Sequence, residues 1–211
     1  MFRDRKAAGI DLAKKLTEYR HDPGIVLAVP RGGVPVAYAV AKELDFPMDL
    51  VLTKKIGHPL NREYAIGAAS LTDYFVVPHD DVSDEYIEKE LLRVRTRLKE
   101  MQVRFRGDRA PEKLEGKTVI IVDDGIATGN TILGTVRLLK KSHPAKIIIA
   151  VPVASRSAIH KLSKEADAVI SLLVPTEFFG VGAFYENFEQ VSDEEVDEYL
   201  DKFRQWRKMA T

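Results

Sequence analysis

Apolar positions recur along this chain in two rhythms. Helical spacing of Ile10, Leu12, Ala13 and Leu16 predicts a helix over 3–20. The run GIVLAV (24–29) ends at Pro30 and reads as a buried strand, and VPVAYAVAKEL (34–44) reads as a helix opening just after two glycines. MDLVLTKK (48–55) is a second strand, and EYAIGAASL (63–71) with YFVVP (74–78) is a strand pair around a polar turn. SDEYIEKELLRVRTRLKEMQVRF (83–105) is a long charged helix with Ser83 as its N-cap. KTVIIVDD (117–124) is a third core strand, with TILGTVRLLKK (131–141) as the helix behind it. KIIIAVPV (146–153), a helix at 155–165 and AVISLLVP (168–175) continue the alternation. A last helix over about 192–208 is acidic early and basic late, as the helix dipole favours.

Continuous apolar strands alternating with helices predict a doubly wound α/β fold, with a mostly parallel central sheet and helices on both faces. The expected layout is one domain over 1–211: a core at about 21–175, an inserted helix and mobile loop at about 80–112, and a small C-terminal hood at about 176–211. Ligands bind such folds at the carboxyl ends of the strands. The polar motifs fall there: PRGG after the first strand, TKK at the end of the second, DDGIATGNT after the third and PVASR after the fourth.

Composition narrows the chemistry. The 211 residues hold 32 Lys plus Arg and 32 Asp plus Glu, so nothing overall points to nucleic acid or an anionic membrane as partner. With no cysteine there is no disulfide, thiolate metal site or thiol nucleophile. The N-terminus has no signal-type apolar run, and no stretch approaches the ~20 apolar residues of a membrane helix. A cytoplasmic protein is expected. His58, His79 and His143 have no metal-ligand spacing.

The densest chemistry lies in VIIVDDGIATGNT (119–131). Small residues before a helix present free N–H groups to an anion, and Thr128 and Thr131 add hydroxyl donors. The order is neither that of a P-loop nor GxGxxG. Two carboxylates suit a pair of vicinal hydroxyls, since each accepts hydrogen bonds. The stretch therefore reads as a grip for a sugar phosphate. The plain alternative is a strand that ends in Asp-Asp before an ordinary capped helix.

This stretch resembles the phosphoribosyl-diphosphate signature of the type I phosphoribosyltransferases. AVPRGGVPVA, KKIGHPLNREYAIGAAS, FRGDRAP and VGAFYENFEQVSDEEV resemble a bacterial and archaeal subgroup of unassigned acceptor. The resemblance implies that Asp123 and Asp124 hold the ribose hydroxyls of the donor, and that Ala127, Thr128, Gly129, Asn130 and Thr131 cradle its 5-phosphate. It implies that Arg31, Gly32 and Gly33 form the diphosphate loop, with Lys54 or Lys55 nearby. Glycines let backbone N–H groups approach oxyanions, and an arginine fork pairs with phosphate. Arg106 and Arg109, in a mobile loop over 104–111, would meet the leaving diphosphate. Phe179 and Tyr185 would contact the base, and Glu186 would approach the metal. Magnesium would bind mainly through donor oxygens, near Asp123 and Asp124.

Bland readings stand beside these. RGG is also a plain turn, the lysines and arginines are also solvated charges, and the aromatics at 178–188 also pack the C-terminal helix. The expected activity is transfer of a phosphoribosyl group from 5-phosphoribosyl 1-diphosphate to a nitrogenous base or related nucleophile. The partners are small molecules, and the chain is expected to be a homo-oligomer, a dimer as is common in the family. The rival is a non-catalytic regulator that binds the donor or a nucleotide. A phosphohydrolase using Asp123 as nucleophile leaves TGNT unexplained. Finally, the 6-oxopurine enzymes carry an aspartate where this chain has Ala127, so no general base is offered at that place.

Overall fold

The computed structural model describes residues 1–62 and 64–210. Along the chain come α1 (Arg5–Lys15), β1 (Gly24–Ala28), α2 (Gly33–Leu44), β2 (Met48–Leu50), β3 (Lys54–Gly57), β4 (Ala65–Ala69) and β5 (Tyr74–Val76). Then follow α3 (Asp84–Met101), β6 (Thr118–Val122), α4 (Asn130–Lys140), β7 (Lys146–Val153), α5 (Arg156–Leu162), β8 (Ala168–Leu173) and α6 (Asp193–Ala210). These elements form two compact units. One holds Met1–Val51, Glu112–Gly129 and the chain from His143 on; the other holds Leu52–Pro111 and Asn130–Ser142.

The first unit is an all-parallel five-stranded sheet in the order β2-β1-β6-β7-β8, flanked by helices, as the apolar strands predict. Every residue of β1 and β6 is buried, as expected of strands covered on both faces. Helices α1 and α2 lie close together because Gly9 has no side chain: a Cβ there would be 2.7 Å from Val36 O. Ala8, Leu12, Ala13 and Leu16 are buried, but Ile10 is 49% exposed, against expectation. Ile10 lies two residues from Leu12, about 200° around the helix, so the two cannot share a face. Helix α6 covers α2, with Tyr38 edge-on to Tyr199 at 5.4 Å between ring centres.

The second unit is an antiparallel sheet, β3-β4-β5, with α3 and α4. Gly134 of α4 meets β4, where a Cβ would be 2.6 Å from Ala68 Cβ, and the hydroxyls of Thr53 and Thr135 lie 2.6 Å apart. Ser83 caps α3 as expected, its Oγ accepting from Tyr86 N at 3.2 Å. The helix does not run regularly to 105. Its last turn, Gln102–Arg106, widens to a π-turn that buries Phe105 and stops at Gly107, where φ is +60°.

The expected strand 48–55 divides in two. Its first part pairs with β1, while Lys54 and Lys55 begin β3 in the other sheet instead of ending the second parallel strand. An apolar run shows that a segment is extended and buried; it does not show where its hydrogen-bonding partner changes. Glu63, first residue of the expected strand 63–71, lies outside the described residues. Among the described residues no helix is long and apolar enough to cross a membrane.

Gly24 opens β1 against the buried Phe46 ring, where a Cβ would lie 1.9 Å from Phe46 Cε2. Gly24→Ala is expected to lower stability by about 1–3 kcal/mol through overpacking. The urea midpoint measures it, and Phe46→Leu should recover part of the loss. An unchanged midpoint would mean that the ring moves aside freely.

Candidate active site

Strands β1 and β6 are parallel neighbours, with Ala28 opposite Val122. Their ends therefore deliver Pro30–Gly33 and Asp123–Asp124 side by side. The chain leaves β1 for β2 on one flank and returns to add β6, β7 and β8 on the other. This reversal is the switch point at which doubly wound sheets bind ligands. The approach is too tight for side chains. A Cβ on Gly33 would be 2.7 Å from Val122 O, and one on Gly32 only 2.0 Å from Asp124 Oδ2. Gly33 is required by the backbone at the end of β6, and Gly32 by the Asp124 carboxylate in the position it takes here. The Pro30–Arg31 peptide bond is cis.

Asp124 is the centre of a polar network. Its Oδ2 accepts from Arg5 Nε at 2.8 Å, with the two side chains 14% and 11% exposed respectively. Its backbone oxygen accepts from the Tyr185 hydroxyl at 2.6 Å, and its N–H donates to Asp123 Oδ1 at 2.8 Å. Arg5 also donates from Nη1 to Glu189 O at 2.7 Å, and its guanidinium carbon lies 3.9 Å from the centre of the Phe188 ring. A strand end would by itself leave these acids open to solvent. They are instead largely covered, because the start of α1 and the segment after β8 close over them.

Burial sets their titration. It pushes the Asp123 carboxyl well above the usual range, and the neighbouring Asp124 charge adds to this. It raises Asp124 as well, against the opposing Arg5 guanidinium. Burial and the Asp124 charge likewise push the Tyr185 hydroxyl up.

The loop at 125–129 is anchored on β7 and α5. Ile126 N donates to Val153 O at 2.9 Å, and Ser155 N to Ile126 O at 3.0 Å. Ser155 Oγ donates to Ala127 O at 2.6 Å, and Lys161 Nζ to Thr128 O at 2.9 Å. In a trans peptide C=O and N–H point opposite ways. The N–H groups of Thr128 and Gly129 therefore turn away from Ser155 and Lys161. Gly125 fits because a Cβ there would meet Val181 Cγ1 at 2.5 Å, and Gly129 takes φ of +72°.

The remaining candidates are placed unequally. In the first unit, Arg31 Nη1 lies 3.4 Å from Asp193 Oδ1 at the start of α6. Phe179 is 80% exposed, so its ring is open to a flat partner. Tyr185, expected against a base, is a core residue 6% exposed, packed with Phe2 and Phe188. Phe178, Phe184 and Phe188 pack with Tyr185 on Ala8 and Val153, where the plain reading expected the C-terminal helix. Glu186 is exposed, its N–H held by Phe2 O at 2.8 Å. In the second unit, Lys54 and Lys55 are half-buried in β3, and Asn130 and Thr131 open α4. Arg109 turns back onto the end of α3, donating to Arg106 O at 2.9 Å and Phe105 O at 2.8 Å. Arg5, Lys161 and Asp193 were given no role by the sequence, and Ser155 and Phe188 were met only within PVASR and the aromatic run. Arg5 stands 119 residues from Asp124, and no local spacing links them.

Comparison with known proteins shows the family. A family model described as the phosphoribosyl transferase domain matches residues 3–186. A Mycobacterium tuberculosis protein provisionally named a phosphoribosyl transferase is 37% identical over 207 residues, covering 96% of this chain and 47% of that protein. The chain thus spans about half the length of the curated relatives it first matches. An amidophosphoribosyltransferase of Staphylococcus aureus is 24% identical over 147 residues, 70% of this chain and 23% of that enzyme. A crystal structure of a Thermus thermophilus protein superposes with a TM-score of 0.88 at 37% identity, covering 96% of this chain and 99% of that one.

The raised Asp123 carboxyl has a stability consequence. The folded chain holds this proton more tightly than the unfolded chain, whose value is about 3.9. The associated stability is present at low pH and falls as pH rises from about 4 toward the raised folded value. Asp123→Asn keeps the oxygen that accepts from Asp124 N and removes the charge. It is expected to raise Tm at neutral pH by about 2–4 °C, the equivalent of ~1 kcal/mol in a chain of this size. Calorimetry across pH should also show a flatter decline. A lower Tm with the original pH slope would mean that Asp123 ionises at no cost.

Proposed function

The chain belongs to the phosphoribosyltransferase family, and from that premise we propose that it moves a phosphoribosyl group from 5-phosphoribosyl 1-diphosphate to a nitrogen nucleophile. The observation that carries this reading is the Asp123–Asp124 pair pressed against the Gly32–Gly33 backbone at the switch point of the sheet. A grip for a diol thereby adjoins a glycine turn suited to an oxyanion.

In this reading Asp123 and Asp124 accept hydrogen bonds from the ribose hydroxyls. The N–H groups of Thr128 and Gly129, turned away from Ser155 and Lys161, serve the 5-phosphate. The Gly32–Gly33 backbone and Arg31 serve the diphosphate, for which Arg31 exchanges its contact with Asp193. The bond from the anomeric carbon to diphosphate oxygen breaks with both electrons leaving on oxygen. An oxocarbenium-like centre develops, and the acceptor nitrogen closes on it. The protein's share is positioning and neutralisation of the departing charge. Phe179 is proposed as the base platform, since its ring is open.

Two adjacent carboxylates fit magnesium carried in largely on the donor's own oxygens. Among the described residues no cluster of three or more such groups could hold an ion alone. When bound, the ion supplies positive charge to the diphosphate. Asp123 and Asp124 would reach it chiefly through the hydroxyls they grip.

Two measurements test the proposal. Asp123→Asn should weaken binding of the donor with magnesium by ~2 kcal/mol or more, since a charged hydrogen bond is lost. Unchanged affinity in calorimetry would sink the grip. Diphosphate release should then be followed with adenine, orotate, uracil, nicotinate, hypoxanthine and guanine. Ala127 is exposed and cannot accept a proton, so hypoxanthine and guanine should turn over about 100-fold worse than the best acceptor. Efficient use of either would show that the loss of an acid at this place is immaterial. Tight donor binding with no turnover of any acceptor would favour a regulatory binder.

A further inference from the structure

Arg5 is the least expected member of the site. It is the first residue of α1, and Asp4 fixes the start of that helix by accepting from Ala7 N at 2.7 Å. The residues before it are stitched to the segment that carries Tyr185. Phe2 N donates to Phe184 O at 2.8 Å, Glu186 N to Phe2 O at 2.8 Å and Asn187 N to Arg3 O at 3.0 Å. That stitching sets where the Arg5 side chain begins. Its far end is fixed by the face of Phe188, the Glu189 carbonyl and Asp124 Oδ2, leaving it 11% exposed.

Asp124 is thus held twice. Tyr185 holds its backbone carbonyl, and Arg5 holds its side chain. The held oxygen is also the one that a Cβ at residue 32 would meet at 2.0 Å. The carboxylate has few other orientations: Gly32 limits it on one side and Arg5 draws it on another. A surface ion pair between exposed side chains would contribute little. This pair is different, because both partners are mostly covered and the cation has a second hydrogen-bond acceptor and an aromatic wall.

We propose that Arg5 is a positioning residue of the ribose grip, acting through Asp124 by holding its carboxylate against the Gly32 backbone. This rests on the functional reading above and goes beyond it. The two acids then have different duties. Burial penalises both, and Asp124 is the one preset by a cation from a distant part of the chain. The N-terminal residues are part of the substrate site although they never enter the signature stretch.

The test compares ribose 5-phosphate with tetrahydrofurfuryl phosphate, which keeps the ring and phosphate but lacks every ring hydroxyl. Affinities are measured by calorimetry for the full chain and for Arg5→Met, Arg5→Lys, Asp124→Asn and the Arg5→Met/Asp124→Asn double variant. Arg5→Met keeps length and apolar contact with Phe188. It should lose about tenfold of the preference for ribose 5-phosphate, as expected for a charged hydrogen bond that is no longer oriented. Its affinity for tetrahydrofurfuryl phosphate should stay within about twofold, because the phosphate loop is untouched. Arg5→Lys restores charge without the fork and should recover only part of the preference. The double variant should be no worse than Asp124→Asn alone, as required of a residue that acts through Asp124.

An intact preference in Arg5→Met overturns the inference. So does equal loss of both ligands, which would mark a merely structural arginine, and so does full additivity in the double variant. A chain that binds neither ester overturns the functional reading and this inference together, which separates the two failures. If Arg5→Met does not fold, Arg5→Lys with unaltered preference and unaltered affinities for both ligands still refutes the role of the fork.

Discussion

The close approach of the Gly32 backbone to the Asp124 carboxylate governs the candidate site. Parallel pairing of β1 with β6 aligns the two strand ends, and this leaves 2.0 Å between a Cβ at residue 32 and Asp124 Oδ2. A side chain at residue 32 would force that carboxylate to move. Once the carboxylate lies against a backbone turn and out of water, it needs a partner, because an isolated buried charge is costly. Arg5 supplies it at 2.8 Å. Arg5 in turn needs walls, and Phe188 and the Glu189 carbonyl provide them. The strap from Val181 to Asp193 is thereby tied to the segments after β1 and β6 and to Arg5: Val181 to Gly125, Tyr185 to Asp124, Phe188 and Glu189 to Arg5, and Asp193 to Arg31.

The same arrangement works against stability. Two neighbouring carboxyls are largely covered at a strand end, and both are pushed up by the loss of water. A scaffold selected for stability alone would place an amide or an apolar residue at Asp123. Such local cost is characteristic of sites built to bind charge or hydroxyls, with the surrounding core offsetting it. Here the offset comes from an all-parallel sheet whose β1 and β6 are buried along their whole length.

The 125–129 loop shows how a short run of small residues becomes specific. Its composition permits many turns. Its conformation is selected by neighbours that take its carbonyls, Ser155 and Lys161, by Val181, which crowds Gly125, and by the φ of +72° that Gly129 allows. The aromatic cluster nearby is mainly scaffold. Tyr185, which could be mistaken for a base platform, instead holds the Asp124 carbonyl, while Phe179 alone among the aromatics of the 178–188 segment is strongly exposed.

Much of this was legible in the chain itself. Apolar runs at 24–28, 118–122 and 146–153 mark buried parallel strands, because a strand covered on both faces has no polar side to show. The acid pair and the small-residue loop are contiguous, so their joint meaning survives in one dimension. Ser83 declares a helix start by the same local logic. Other features depend on pairing between distant segments. The split of 48–55 between two sheets, the burial of Asp124 and the change of role for Tyr185 all follow from which surfaces meet. The Arg5–Asp124 bond spans 119 residues. Local patterns report backbone preference and average burial; hydrogen-bond partners and counterions are chosen only when the chain closes on itself.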